Sequence, residues 1–530
     1  MSSLTRRFLL TSFAVLALLL TAAFAPEPLA APPSASVQSI AAQELREHLY
    51  YLAAKDFGGR YTLSPQFQIA ATFLASQLQA YGYKGVAEGG SYYQAFELST
   101  MKVDPDKSSL SLKSATGKQD LKYGDFYNVG SSGGTAEGEI VFVGYGVSAA
   151  RLGHDDYAGL DVKGKIVMFT RGTPQGMDPS LLDDKETEDD AAMAHGAAAV
   201  IYLPSSYSIS RMKSPRYREY GLESVKLTKA LGVNIPVIVS GPELSDQLLK
   251  PLGLDLAQAH EAVKAHGALT PKFTGLNAHV ELAMSENKQT TQNVVGVLEG
   301  ADPKLKDEYI MFSAHYDHLR TNAKGDVYPG ADDDGSGTVS VLAIAKAMAQ
   351  ERPKRSVLIV FHAGEELGLL GSKYNADYAP VVPLEKITAD INIDMIGRSK
   401  PAGDTETRDA QLTAADTIYA IGADRISREF HELHEQTNKD FENLKIDYTL
   451  NDPKHPARIY FRSDHWNYAK HGVPILFYFD GVHADYHQPT DTVDKIDFDK
   501  MARVSRLAFE TGWRVAQLDH RMKVTEAPAK

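Results

Sequence analysis

Tyr309-Ile-Met-Phe-Ser-Ala-His315-Tyr-Asp317-His-Leu opens the stretch that decides the fold. Gly330-Ala-Asp-Asp-Asp-Gly-Ser-Gly337, Val357-Leu-Ile-Val-Phe361 with Ala363-Gly-Glu-Glu-Leu-Gly368, and Ile391-Asn-Ile-Asp-Met395 complete it. Short apolar runs without polar alternation read as strands buried on both faces, the pattern of a parallel sheet covered by helices. Each run stops at imidazoles or acids, so the metal-binding chemistry sits at strand ends. In open α/β sheets that is the edge where ligands bind.

Composition narrows what such a site can hold. The chain has 530 residues, 43% of them apolar, which is enough for a large core and more than one domain. A net charge of −13 argues against nucleic acid as a partner, because binding it needs a basic face. With no cysteine, disulfides and thiolate zinc sites are excluded, and any metal must rest on His, Asp and Glu.

Residues 1–31 read as a secretory leader: Arg6 and Arg7, an apolar core from Phe8 to about Leu20, then small residues through Ala31. That core is short of the ~20 residues of a membrane span. An exported protein is expected, periplasmic or secreted, with no stable membrane anchor after cleavage. From Ala41 to Tyr83 the pattern is helical, with Leu45, Leu49 and Leu52 on one face and Ile69, Phe73 and Leu74 on the next. Asp56-Phe-Gly-Gly-Arg-Tyr61 between them reads as a plain turn, and 91–128 as strands.

Gly130-Ser-Ser-Gly-Gly134 marks a boundary, followed by short β runs. The expected organisation is a first catalytic part at 38–128, an inserted module at 129–275 and a second catalytic part at 276–520. In the second part helices are expected at 336–350 and 367–378, and Val504, Leu507, Ala508 and Val515 form a helical stripe.

The ligand set is His315, Asp333, Glu365 or Glu366, Asp394 and His487 of Tyr486-His-Gln-Pro-Thr-Asp-Thr492, with Asp317 beside His315. Two cations ~3.5–4 Å apart need a carboxylate between them. Asp333 is the candidate, although Asp332 and Asp334 flank it and either could take its place. Asp317 could accept the free ring N–H of His315. The adjacent side chains of Glu365 and Glu366 diverge, so one can bind metal while the other faces the attacking water. His195, His362 and His483 read as structural, and His318 is close enough to the site to be ambiguous.

These segments resemble the di-zinc exopeptidases of the bacterial leucyl aminopeptidase and aminopeptidase Y type. The matching signatures are His315-Tyr-Asp317, Gly330 to Gly337, Glu365-Glu-Leu-Gly-Leu-Leu-Gly-Ser372, Asp394-Met-Ile-Gly397 and Tyr486-His487. The resemblance implies two Zn2+, one held by His315, Asp333 and Asp394 and one by Asp333, Glu366 and His487. It further implies Glu365 as general base and Tyr486 as a group polarising the scissile carbonyl, with Asp317 in the catalytic set. Peptides with a free N-terminus would be the substrates.

Gly164-Lys-Ile-Val167, His195-Gly-Ala-Ala-Ala-Val-Ile201 and Ile235-Pro-Val-Ile-Val239 resemble a protease-associated (PA) domain. Arg462-Ser-Asp-His465 resembles the family's turn before the last strand, and Ser463 or Asp464 could equally be a helix cap. The implied fold is α/β, a mostly parallel central sheet flanked by helices with an inserted β-rich PA domain. Other functions on related folds stay open: a carboxypeptidase, a single-zinc glutaminyl cyclase, a di-zinc amidohydrolase, or a receptor-like member without activity.

Overall fold

The computed structural model describes residues 34–128, 132–205, 208–210, 223–230, 235–266 and 272–525. The leader at 1–31 and the start of the glycine run at 130–131 lie outside them. The larger of its sheets has nine strands, β1–β9 in chain order: Tyr93–Val103, Glu223–Leu227, Met284–Leu298, Tyr309–His315, Ser356–His362, Ile387–Ile393, Thr417–Ile421, Lys445–Asp447 and Ile475–Phe479. Their spatial order is β2-β1-β3-β5-β4-β6-β9-β7-β8.

The four central strands β5, β4, β6 and β9 are parallel. Every residue of β5, β6 and β9 is buried. The flanks differ, since β3, β1 and β2 run antiparallel on one side and β7 turns antiparallel to β9 on the other. The α/β class is as expected, with parallel pairing confined to the centre and to the outer β7–β8 pair.

Helices α1 (Ala42–Leu52), α2 (Pro65–Ala80), α3 (Gly337–Gln350), α4 (Arg428–Asp440) and α5 (Phe498–Gln517) supply the cover. Leu45, Leu49 and Leu52 are buried on α1 as their spacing requires. On α2 the Ser64 side chain accepts the Phe67 N–H, and the buried stripe is Phe67, Ala70, Ala71, Leu74, Ala75 and Leu78. Ile69 points outward and is 53% exposed. Alanines, not the bulkiest residue, mark the inner face, because α2 packs close to the sheet.

The expected stripe of α5 is fully buried. A Cβ at Gly512 would stand 2.2 Å from the Phe312 ring, so glycine lets α5 lie directly on β4. The segment expected as one helix at 367–378 is helical only from Leu370 to Lys373 and then widens through Tyr374–Tyr378.

Glu510 of α5 is buried, and burial raises its carboxyl from 4.5 to about 8 despite Arg514 at 3.9 Å. The folded state therefore holds a proton that the unfolded chain releases, and stability falls as pH rises between those values. Glu510→Gln should match the wild type near pH 4 and gain on it by ~1–3 kcal/mol at pH 8, as read by denaturant melts. A gain independent of pH would refute this.

An eight-stranded second sheet runs in the order Gly117–Lys122, Ser109–Ser114, Lys272–Leu282, Gly134–Phe142, Ile166–Thr170, Ala199–Leu203, Val237–Ser240 and Phe126–Asn128. The expected boundaries at 129 and 275 are therefore corrected. Strands at 109–128 belong to the inserted module, Leu110 pairing with Val280, and the module leaves the main sheet near Asp104 and returns near Ala283. The module also lends β2 to the main sheet beside β1. Further ties are Arg320 to Glu223 at 3.0 Å, Arg425 to Asp178 at 2.7 Å and Lys454 Nζ to the Gly176 carbonyl at 3.1 Å.

Candidate metal centre

The carboxyl ends of the four parallel strands converge on one place. His315 ends β4, Glu365 and Glu366 follow β5, Asp394 follows β6, and the chain after β9 leads to Tyr486 and His487. Asp333 enters from the loop that opens α3.

Asp333 is the residue between the two histidines. Its Oδ1 lies 3.3 Å from His315 Nε2, and its Oδ2 lies 3.0 Å from His487 Nε2. Around His315 Nε2 stand Asp394 Oδ2 at 3.6 Å and Glu365 Oε2 at 3.8 Å. His487 Nε2 is 3.1 Å from Glu366 Oε2. Ligand atoms ~2.0–2.2 Å from a tetrahedral zinc stand roughly 3.3–3.6 Å from one another, which matches this spacing.

Burial supplies a second sign. His315 Nε2, Asp333 Oδ2 and Glu366 Oε1 are buried and make no well-aligned hydrogen bond, although each lies 2.7–3.3 Å from another ligand-type atom. Buried polar atoms left unsatisfied and converging from separate strands fit a cation between them. The residues thus fit zinc, a borderline ion that takes imidazole and carboxylate. Two groups within reach of one ion emerge, His315 with Asp334 and Asp394, and His318 with Asp333 and Glu366.

Asp334 is half committed elsewhere, its Oδ1 accepting the Gly337 and Met395 N–H groups at 2.8 and 3.2 Å while its Oδ2 stays buried without a hydrogen bond. Asp332 is likewise turned away, accepting the Gly397 N–H at 2.7 Å and facing His483 Nε2 at 3.1 Å. Both neighbours brace the loop and leave Asp333 at the centre. His318, left ambiguous by the sequence, puts Nδ1 2.7 Å from Glu366 Oε1. That contact leaves the other oxygen of Glu366 toward His487.

The electrostatics separates the acids. Burial opposes ionisation of Asp333, but His318, His315 and His487 hold it well below the usual carboxylate range. Burial also opposes ionisation of Glu366, and His487 and His318 bring it down to about 2. Glu365 goes the other way: burial drives it well above the usual range, the pull of His315 is not enough, and Asp394 and Glu366 add to the rise. Asp394 is raised by burial as well, so these carboxyls form one strongly interacting acid cluster, and it is geometry that sets Glu365 apart from the ligands.

Burial raises the Tyr486 phenol well above 10, so its hydroxyl stays protonated. Its ring stacks on His487 at 3.8 Å, and Arg462 Nη2 donates to its oxygen at 3.2 Å.

Asp317 departs from the expectation. Its backbone carbonyl, 3.1 Å away, accepts from His315 Nδ1, while its carboxylate is 3.7 Å from that nitrogen. The carboxylate instead accepts the Thr62 hydroxyl at 2.8 Å and the Glu365 N–H at 3.2 Å. It fixes the backbone of the candidate base.

Thr62 and Arg60 follow the glycine turn that reads as a plain connection. The buried Arg60 guanidinium donates to the carbonyls of Leu52, Tyr316, Pro329 and Gly330 at 3.1, 3.1, 2.6 and 2.9 Å, clamping both loops of the site. Gly59 must be glycine there, because at φ +86° a Cβ would meet the Leu319 carbonyl at 2.0 Å. A buried Arg after two glycines was the available signal. Ser463 caps no helix; its hydroxyl accepts from the Asn392 side chain at 2.9 Å, and Asp464 accepts from Ser372.

The profile of Peptidase family M28 matches residues 293–512. The probable leucine aminopeptidase 2 of Aspergillus oryzae is 26% identical over 322 residues, which is 61% of this chain and 52% of that protein. Aminopeptidase YwaD of Bacillus subtilis is 28% identical over 250 residues, 47% of this chain and 43% of that protein. The chain spans about half the length of the curated relatives it matches. The solved structure of the aminopeptidase from Aneurinibacillus sp. strain AM-1 shares the fold, with a TM-score of 0.52 at 20% identity over 93% of this chain and 98% of that one. The stretch that matches the profile of peptidase family M28, residues 293–512, carries His315, Asp333, Glu365, Glu366, Asp394 and His487.

Proposed function

We propose that this chain is an exported zinc aminopeptidase that removes the N-terminal residue of peptides, with two Zn2+ bridged by Asp333. The observation that carries this reading is the Asp333 carboxylate, one oxygen facing His315 and the other facing His487. His315, Asp333 and Asp394 would hold one ion, and Asp333, Glu366 and His487 the other. Bound zinc would supply Lewis acidity toward the scissile carbonyl and lower the pKa of the attacking water. Glu365 takes the proton from that water and hands it to the leaving amine, a role suited to a carboxylate whose basicity burial has raised. The protonated Tyr486 hydroxyl donates a hydrogen bond to the carbonyl oxygen as charge develops on it.

The inserted module is proposed as a PA-type unit that shapes access, since the set facing His315 and His487 comes wholly from the main-sheet unit. Excising 129–275 is a poor test of this role, because it would strip partners from the strands at 109–128 and remove β2. Export rests on the 1–31 leader. No helix of the described residues is long and apolar enough to cross a membrane.

The test is a profile of the purified, zinc-loaded chain on free, N-acetylated and C-amidated peptides. Free and C-amidated peptides should lose their first residue, while acetylated ones resist. Cleavage of acetylated peptides from the carboxyl end would refute the aminopeptidase reading. Cyclisation of N-terminal glutamine without hydrolysis would refute it as well.

A further inference from the structure

We infer that Asp491 is a positioning residue that fixes the distance between Asp333 and His487, and through it the affinity of the metal site between them. This inference rests on the zinc reading above. Asp491 lies four residues beyond His487, in the turn where its own N–H binds the Gln488 carbonyl at 3.2 Å. Its carboxylate is fully buried and reaches across to the other ligand loop. There Oδ2 accepts the N–H of Asp332 at 3.1 Å and of Asp333 at 3.2 Å, and Oδ1 approaches the Asp332 N–H at 3.2 Å. The Asp491 backbone carbonyl accepts the Ala331 N–H at 3.3 Å. One residue thus ties three consecutive N–H groups of the 331–333 segment to the turn that presents His487.

The consequence is mechanical. Asp333 Oδ2 and His487 Nε2 belong to segments more than 150 residues apart in sequence, yet stand 3.0 Å from each other. Among the described contacts, the Asp491 carboxylate joins the backbone of the 331–333 segment to this turn, whereas the Asp332 side chain ties the same loop to the Gly397 N–H after β6 and to the His483 ring, four residues before His487. Aspartate suits the place for its reach and its acceptor at Oδ2. An asparagine with its oxygen at Oδ2 keeps the two N–H bonds of that oxygen but sets an NH2 donor, in place of the acceptor Oδ1, against the Asp332 N–H and the Arg398 guanidinium. Groups that orient metal ligands are typically worth 10- to 100-fold in metal affinity.

The test is zinc affinity by competition with a chromogenic chelator, on full-length wild type, Asp491→Ala and Asp491→Asn, with melting of the metal-free proteins as the check on folding. Asp491→Ala should bind the zinc between Asp333 and His487 ~10- to 100-fold more weakly, with a smaller loss at the ion beside His315, which shares Asp333. Asp491→Asn, which keeps the Oδ2 acceptor and loses the Oδ1 one, should fall between alanine and the wild type, a partial rescue that a merely structural charge would not allow. Should the alanine variant not fold, Asp491→Ser, whose hydroxyl is too short to span to Asp333, takes its place with the same expectation. Folded alanine or serine variants that hold both zincs as tightly as the wild type would overturn the inference. An asparagine variant as weak as alanine would overturn it too, by making charge rather than N–H acceptance the cause. A wild type that binds fewer than two zincs refutes the zinc reading itself, and the inference with it, before any variant is made.

Discussion

Glu365→Gln keeps both metal ions and loses turnover by about 10²- to 10⁴-fold, the usual worth of a general base. The side chain stands 3.8 Å from His315 Nε2, farther than the nearest oxygens of Asp333 and Asp394, and desolvation raises its basicity. It is placed to exchange a proton rather than to hold a cation. Gln preserves the shape and the N–H contact to Asp317, which is made by the backbone. The check is kcat on an aminoacyl anilide together with metal analysis of the same sample. Zinc lost from that variant would mean that Glu365 is a ligand and that the two glutamates are exchanged.

Asp333→Ala has the larger reach, since one carboxylate faces both histidines. Without it the two ions would repel at ~3.5–4 Å with no anion between them. Activity should fall at least as far as in the Glu365 variant, and both sites should weaken together. The metal-free variant should lose some stability, because Asp333 is held ionised by His318, His315 and His487, so melting without zinc checks its fold first. What disappears is the rise in melting temperature that zinc gives a protein binding it only when folded. A variant that still binds one zinc at wild-type affinity would show that Asp333 serves a single ion.

Much of this site is legible in the sequence because the strand rule does the placing. Three apolar runs end in ligand-type residues, and parallel strands carry their carboxyl ends to one edge. The choice of Asp333 over Asp332 and Asp334 is less legible. All three carboxylates are buried, and only the structure shows that Asp332 turns to the Gly397 N–H and His483 and that Asp334 Oδ1 turns to the Gly337 and Met395 N–H groups, while Asp333 faces both His315 and His487. Asp317 shows the same limit, for spacing cannot say whether a carboxylate or its own carbonyl meets the ring N–H.

Arg60 and Thr62 escape a local reading because their partners lie some 255 to 270 residues away across the fold. The module boundary fails for a similar reason. Alternation at 109–128 identifies strands, but their sheet is set by pairing with 272–282 and 237–240, which no local pattern encodes. Ile69 is the converse case, a bulky residue on the flank of a helix whose close-packed face is built from alanines.

The central claim is that two ions share Asp333. Its most direct test is an anomalous diffraction map collected at the zinc edge from crystals of the zinc-loaded chain. The account predicts two peaks ~3.5–4 Å apart, one between His315 and Asp394 and one between Glu366 and His487, with an oxygen of Asp333 toward each. A single peak in the fully loaded protein would contradict it, as would a pair bridged by Asp332 or Asp334.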